Sequence, residues 1–339
     1  MNFINLIIYF AVTFLIFLSV YLLIKSKTNL SLIDQDYNKP QAFHRNPTPR
    51  IGGLAAIICL CVFFLLNYIF NEIILYEYVF VAISLFILGF VDDIKVKINP
   101  STRLVFMIIL LCLLINIFSL FIDKTGLAFL NNWIKNYYFI AMLFSLLCFV
   151  FIINGANLID GFNGLLGIHS LIIFIALFAI NLINENNNLI YISFYISLLT
   201  LIFLKYNFPK AQLFLGDSGA YLIGVLIAIL VINTSNLNPS ISPFFFCVLL
   251  FYLFFEVFFS FFRKIFVVRQ SPLLPDNQHL HMLLYELLLK KNKTKLNSNY
   301  TVSLYINLIY LLLIIPGIIF MNNGLFCRYY FFLDLYNFA

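Results

Sequence analysis

Apolar runs of roughly 16–22 residues recur along the whole chain, two of them slightly shorter. They lie near 3–24, 51–70, 77–91, 104–122, 137–153, 165–183, 189–204, 219–233, 241–262 and 301–320. That length is what a helix needs to cross a hydrocarbon core about 30 Å thick. In hydrocarbon each backbone N–H and C=O must be satisfied within its own segment, so the runs read as helices. The pattern predicts an all-α polytopic membrane protein with about ten transmembrane helices. Composition agrees: 63% of the residues are hydrophobic, 10% are charged, and mean hydropathy is +1.02. Soluble domains carry about 25% charged residues. The first run lacks a basic segment before it and a small-residue cleavage site after it, so it reads as a retained helix. The chain is read as a single integral-membrane domain, 1–339, with its motifs confined to 44–281.

The formal charge is +6. A basic balance can mark a nucleic-acid binder, but the distribution argues against nucleic acid. Five lysines and arginines fall in the first gap between runs, three in the third, two in the seventh and seven in the ninth, which is 17 of 20. Lys124, Lys135 and Arg328 are the others. By the positive-inside rule the odd gaps are cytoplasmic, the N-terminus lies outside, and the protein sits in the cell's inner (plasma) membrane. Asp92, Asp93, Asp160, Asp217 and Asp276 all fall in odd gaps, so the candidate chemistry gathers on one face. The six cysteines have no CxxC spacing, and neither a zinc site nor a disulfide framework is expected.

Each odd gap carries a polar motif. The fifth holds Asn154, Asn157, Asp160 and Asn163 between two apolar runs. If the turn is helical, the first three cluster on one side, and asparagine supplies both donor and acceptor to a base or a sugar amide. Asp92 and Asp93, adjacent at a helix end, repel each other unless they share a cation or a proton. Such a pair suits a divalent metal, or one ligand and one base. Asp217 lies between Gly216 and the Ser218-Gly219 pair, where a helix cap explains it as well as a metal ligand does. Arg45 and Arg50 flank a Pro-Thr-Pro turn and can meet phosphates. In the ninth gap His279 and His281 stand near Arg269, able to grip a pyrophosphate, and an apolar stripe from Leu280 to Leu288 reads as an interfacial helix. Glu256, close to the cytoplasmic end of the ninth run, either snorkels or joins the site, and His169 reads as a core histidine.

Together these motifs resemble the polyprenyl-phosphate N-acetylhexosamine-1-phosphate transferases, glycosyltransferase family 4. That family includes the undecaprenyl-phosphate N-acetylglucosamine-1-phosphate transferases and the phospho-N-acetylmuramoyl-pentapeptide transferases. The matching pieces are Pro47-Thr-Pro-Arg-Ile-Gly-Gly53, Asp92-Asp93, Asn154-x-x-Asn157-x-x-Asp160-Gly161, Phe214-Leu-Gly-Asp217-Ser-Gly219 and Asp276-x-x-His279-Leu-His281. The resemblance implies transfer of a sugar 1-phosphate from a UDP-sugar to undecaprenyl (polyprenyl) phosphate, releasing UMP, with Mg²⁺ or Mn²⁺ as cofactor. The product would start a lipid-linked cell-envelope glycan such as O-antigen, capsule or a peptidoglycan precursor. It further implies Asp92 as the base toward the lipid phosphate, Asp93 as support for it or for the metal, and Asp217 as chief metal ligand. Asp160 is implied on the metal and catalytic side, with Arg50, Asn154, Asn157, Asn163, Arg269, His279 and His281 toward substrate. The expected partners are the UDP-sugar, the polyprenyl phosphate and the lipid bilayer, with a homodimer left open. Three departures stand out: Val96, Asn163 and Met282 replace residues that relatives often carry as charged or histidine. The thinner histidine cluster favours the N-acetylhexosamine branch. Two alternatives are an inactive relative acting as a membrane scaffold, and a secondary transporter.

Overall fold

The computed structural model describes residues 3–25, 32–34, 48–94, 96, 98–271, 277–291 and 294–338. Its helices in chain order are α1 (Phe3–Lys25), α2 (Gly52–Asn71), α3 (Tyr76–Asp93), α4 (Pro100–Phe118), α5 (Ala128–Asn136), α6 (Tyr138–Ile159) and α7 (Leu165–Ile183). They continue as α8 (Asn187–Asn207), α9 (Gly216–Leu237), α10 (Pro243–Leu249), α11 (Phe251–Phe262), α12 (Leu280–Lys290), α13 (Lys295–Ile319) and α14 (Gly324–Phe338). Strands β1 (Ile33–Asp34) and β2 (Thr48–Pro49) pair antiparallel over two residues each.

Each of the ten apolar runs is helical. Eight described helices are long and apolar enough to cross a membrane alone. The ninth run is bent: α10 meets α11 and its π-helical extension, Arg263–Val268, at 73°. The remaining run is α3, which carries Glu77, Asp92 and Asp93 in 18 residues. Two boundaries differ from the pattern for identifiable reasons. Pro100 suits the first helical position and starts α4 early, and Ser119 in the left-handed region ends it. At its other end α6 runs on from residue 153 to Ile159, because the amides of Asn154 and Asn157 do not disturb the backbone ladder. The pattern missed α5 and α14, both short.

The axis of the bundle is α9, 83% buried and apolar on every side, as a helix inside a large core must be. It packs against α2, α3, α6 and α7. Close approach is needed where its N-terminus meets α3: a Cβ on Gly89 would stand 2.5 Å from Ser218 Cα. There the chain is also knit across a long loop. Phe214 N–H donates to Pro49 O at 2.8 Å, while Gly52 and Gly53 N–H donate to Phe214 and Leu215 O at 2.9 Å each. Residues from the odd gaps therefore meet at one end of the bundle.

Residues from the even gaps meet at the other. Lys124 Nζ donates to the carbonyls of Asn238, Pro239 and Ile241 at 3.1, 2.8 and 2.6 Å. Asn236 reaches Phe121 O at 2.8 Å, and Arg328 reaches Gly126 O. The separation anticipated from the charge count is thus a property of the fold.

Candidate active site

At the odd-gap end, α3 finishes with two carboxylates that point different ways. Asp93 turns inward and is only 2% exposed. Its Oδ1 accepts from Asp217 N–H and its Oδ2 from Ser218 N–H, both at 3.0 Å. The residue preceding α9 is Leu215, whose side chain has no acceptor, so the open amides of that helix are satisfied from α3. The capping considered for Asp217 is thus carried out by Asp93, which also places negative charge at the positive end of the α9 dipole. Gly216, with φ +78°, makes the turn that brings the amides to Asp93.

Freed from capping, Asp217 faces outward with Asp92. Between them lies Arg103, from the first turn of α4. Its Nη1 is 2.6 Å from Asp92 Oδ2 and 2.8 Å from Asp217 Oδ2. The three side chains are 21–32% exposed, so water reaches them. The Arg103 guanidinium also lies 5.7 Å from the ring of Tyr221, one turn along α9. Asn157 lies in the last turn of α6, which packs along α9.

Asp160 follows directly on α6. Burial and the Asp217 and Asp93 carboxylates push its carboxyl well above the ordinary range, while Arg50 pulls it down. Arg50 pulls the Asp93 carboxyl down as well, and its backbone bridges to Phe214, three residues before Asp217. Among the described residues the cluster brings four carboxyl groups, Asp92, Asp93, Asp160 and Asp217, together with Arg50 and Arg103.

A second group lies beyond Gly161, where a Cβ would be 3.7 Å from His281 Nε2. Glu256 of α11, 2% exposed, puts Oε2 2.8 Å from His279 Nδ1 and Oε1 3.5 Å from His281 Nδ1. Tyr252 OH is 3.4 Å from His281 Nδ1. The two imidazoles stack with centroids 5.4 Å apart and planes 4° from parallel. A carboxylate behind Nδ1 fixes ring orientation and leaves Nε2 forward. His281 Nε2 is buried without a protein partner among the described residues. Arg263 steadies the loop by donating to Gln278 O.

The other expected residues are held as follows. Asn154 donates to Val150 O at 2.7 Å and lies 3.7 Å from Met107 Sδ, committed to its own helix and α4. Asn163 donates to Pro209 O at 2.9 Å, while its N–H donates to Asn299 Oδ1 at 2.8 Å. Arg269 is exposed, with φ 55°. Val96 is 48% exposed, and Met282, 3% exposed, packs inward on α12. Arg45 and Asp276 lie outside the described residues. His169 is a core residue, its Nδ1 3.2 Å from Asn307 Oδ1. Sequence reasoning missed Arg103 and Tyr221. One signal pointed to Arg103: a cation in the first turn of a helix opposes the dipole and needs a local reason.

Among the described residues no three His, Cys, Asp or Glu side chains are grouped to hold a metal. What exists is a two-carboxylate seat with one cationic nitrogen already in it. Hard oxygen donors of this number fit Mg²⁺, which keeps several waters and takes further ligands from substrate phosphates.

The sequence model described as glycosyl transferase family 4 matches residues 74–235, which run from α3 to the end of α9. The phospho-N-acetylmuramoyl-pentapeptide-transferase of Prochlorococcus marinus subsp. pastoris is 31% identical over 207 residues, 57% of this chain and 57% of that protein. The enzyme of the same name from Dictyoglomus turgidum is 30% identical over 240 residues, 68% of this chain and 74% of that protein. The undecaprenyl-phosphate alpha-N-acetylglucosaminyl 1-phosphate transferase of Thermotoga maritima is 27% identical over 243 residues, 70% of this chain and 68% of that protein. Both names therefore occur among relatives of similar identity.

Proposed function

Because the chain belongs to glycosyl transferase family 4, we propose that it moves a sugar 1-phosphate from a UDP-sugar onto a polyprenyl phosphate, releasing UMP. The reaction takes place on the cytoplasmic face of the inner membrane and starts a lipid-linked cell-envelope glycan. The observation that carries this reading is the Asp92–Arg103–Asp217 cluster, a cation seat at one end of a membrane bundle. Phosphoryl transfer asks a protein for positioning and charge neutralisation more than for covalent chemistry. A lipid-borne phosphate and a soluble nucleotide can meet only at a membrane surface.

The residues divide the work. Asp92 is the most exposed carboxylate of the seat and takes no part in capping, so it accepts the proton of the lipid phosphate. Asp217 holds the metal, with Asp92 and Asp160 close by, and Asp93 holds α9 in place for it. Mg²⁺ held by Asp217 and Asp92 would supply positive charge toward the diphosphate of the donor. Asn157 and Asp160 line the nucleotide side. His279 and His281 hold the diphosphate or sugar, and Glu256 is their positioning residue. An N-acetylhexosamine is the favoured sugar, since Met282 turns inward where a fuller histidine cluster would continue. A secondary transporter would set its polar groups near the bilayer midplane on broken helices; these carboxylates end helices.

The test is conversion of radiolabelled UDP-sugars, presented as a panel with polyprenyl phosphate, into a butanol-extractable lipid by the purified protein. A UDP-N-acetylhexosamine is expected to give product. No lipid product from any donor on the panel, with a folded sample and Mg²⁺, overturns the reading.

A further inference from the structure

We propose that Arg103 is a built-in counter-cation that holds the metal seat closed until a divalent ion displaces it. The proposal rests on Asp92 and Asp217 being that seat. Three observations carry it. First, one nitrogen, Nη1, makes both contacts, at 2.6 and 2.8 Å. A structural arginine ordinarily engages a carboxylate with its two-nitrogen fork. Here the guanidinium behaves as a point charge between two oxygens, which is how a small cation would sit.

Second, the position of Arg103 is poor on its own account. It lies in the first turn of α4, where the helix dipole disfavours positive charge. Its own helix gives it little reason to stay once its carboxylates are taken. Third, all three side chains are partly exposed, and the arginine stem is long, so the guanidinium can swing aside without repacking the core. By contrast, Asp93 beneath it is 2% exposed and bound through both oxygens, so the frame of the seat stays put.

Such a device sets an order of binding. Without substrate, the carboxylates already have a partner, and a free divalent ion must compete with it. When a nucleoside diphosphate brings its own oxygens to the ion, the balance tips. Metal affinity in the absence of nucleotide is therefore held low, and metal and nucleotide bind together.

The test is Mn²⁺ binding to the purified, nucleotide-free protein, followed by electron paramagnetic resonance. Arg103→Gln removes the competing charge and is expected to bind Mn²⁺ about tenfold more tightly than the natural chain, the scale of one unit charge at a partly exposed site. Arg103→Lys keeps the charge on a shorter stem that reaches one carboxylate at a time, and is expected to fall between the two. The enhancement of binding by UDP shrinks in the same order. Adding Asp217→Asn to Arg103→Gln abolishes the tight binding. Thermal unfolding verifies that each variant is folded, and the lysine variant carries the test if the glutamine variant is not. Mn²⁺ binding no tighter than natural in the folded variants overturns the proposal, as does tight binding that survives Asp217→Asn. The titration contains neither donor sugar nor lipid, so its failure and the failure of the transferase reading are separate results.

Discussion

Arg103 sits in the first turn of α4 and Lys124 lies beyond the other end of that helix, and they use their charge in opposite ways. Lys124 gives its ammonium to three backbone carbonyls within one short connection, Asn238, Pro239 and Ile241. Those acceptors are fixed by the chain itself, so the contact closes the link from α9 to α10 and has nothing to exchange with. Arg103 gives its guanidinium to two side-chain carboxylates on different helices, both within reach of water. These partners can accept another cation. At one end Lys124 and Arg328 finish the backbone, whereas at the other Arg103 bridges two side chains. The same residue class serves structure or chemistry according to whether its partners can leave.

The sharpest way to break this comparison is Asp217→Asn. It is expected to lower transfer by about 10³-fold or more, the cost of losing a metal-bound charge in phosphoryl transfer. Thermal stability in detergent should stay within a few degrees, because Asp93 still caps α9 through backbone amides. Activity close to natural would show that Asp217 holds no metal. The converse variant is Lys124→Met. It strands three carbonyls and should cost about 1–3 kcal/mol of stability, read from thermal or denaturant unfolding. Turnover per folded molecule should be unchanged, and a drop there would erase the division between the ends.

Asn163 gives the smallest and most discriminating case. By sequence it belongs to the chemical end, yet by its bonding it resembles Lys124, since its amide donates to the carbonyl of Pro209. Asn163→Asp replaces that donor with an acceptor facing an acceptor. The expected loss is about 1–2 kcal/mol of stability, with the metal dependence of turnover unaltered. A changed metal requirement at natural stability would return Asn163 to the site.

The spans were legible because a bilayer imposes one length on every helix. The sidedness was legible because charge was counted gap by gap, although that count took Arg103 only as one of three charges in the third gap. Its role depends on Asp217, 114 positions away, and no local pattern carries such a pairing. Asp92 and Asp93 look equivalent in sequence; only the packing of α3 on α9 turns one inward as a cap and leaves the other at the seat. Glu256 announced itself as a charge in an apolar run, but its partners lie on the far side of the π-helical turn and the loop that follows it. The short helices α5 and α14 gave no run long enough to register, while α6 outran its apolar stretch because asparagine is compatible with a helix whose neighbours accept its amide.

The strand-like link between residues 49–53 and 214–215 has a consequence for how the molecule is made. Arg50 and Phe214 are 164 positions apart, so at about 5–20 residues per second a ribosome takes roughly 8–33 s to supply the second partner after the first. For most of that wait α2 and α3 are present while the amides that Asp93 will cap have yet to be synthesised. The nascent protein thus carries Asp93 at a helix end with its amide partners still to come. The carboxylate cluster assembles only when α9 threads between helices inserted long before it, so a chain that stalls short of Gly216 stops with its chemistry unformed.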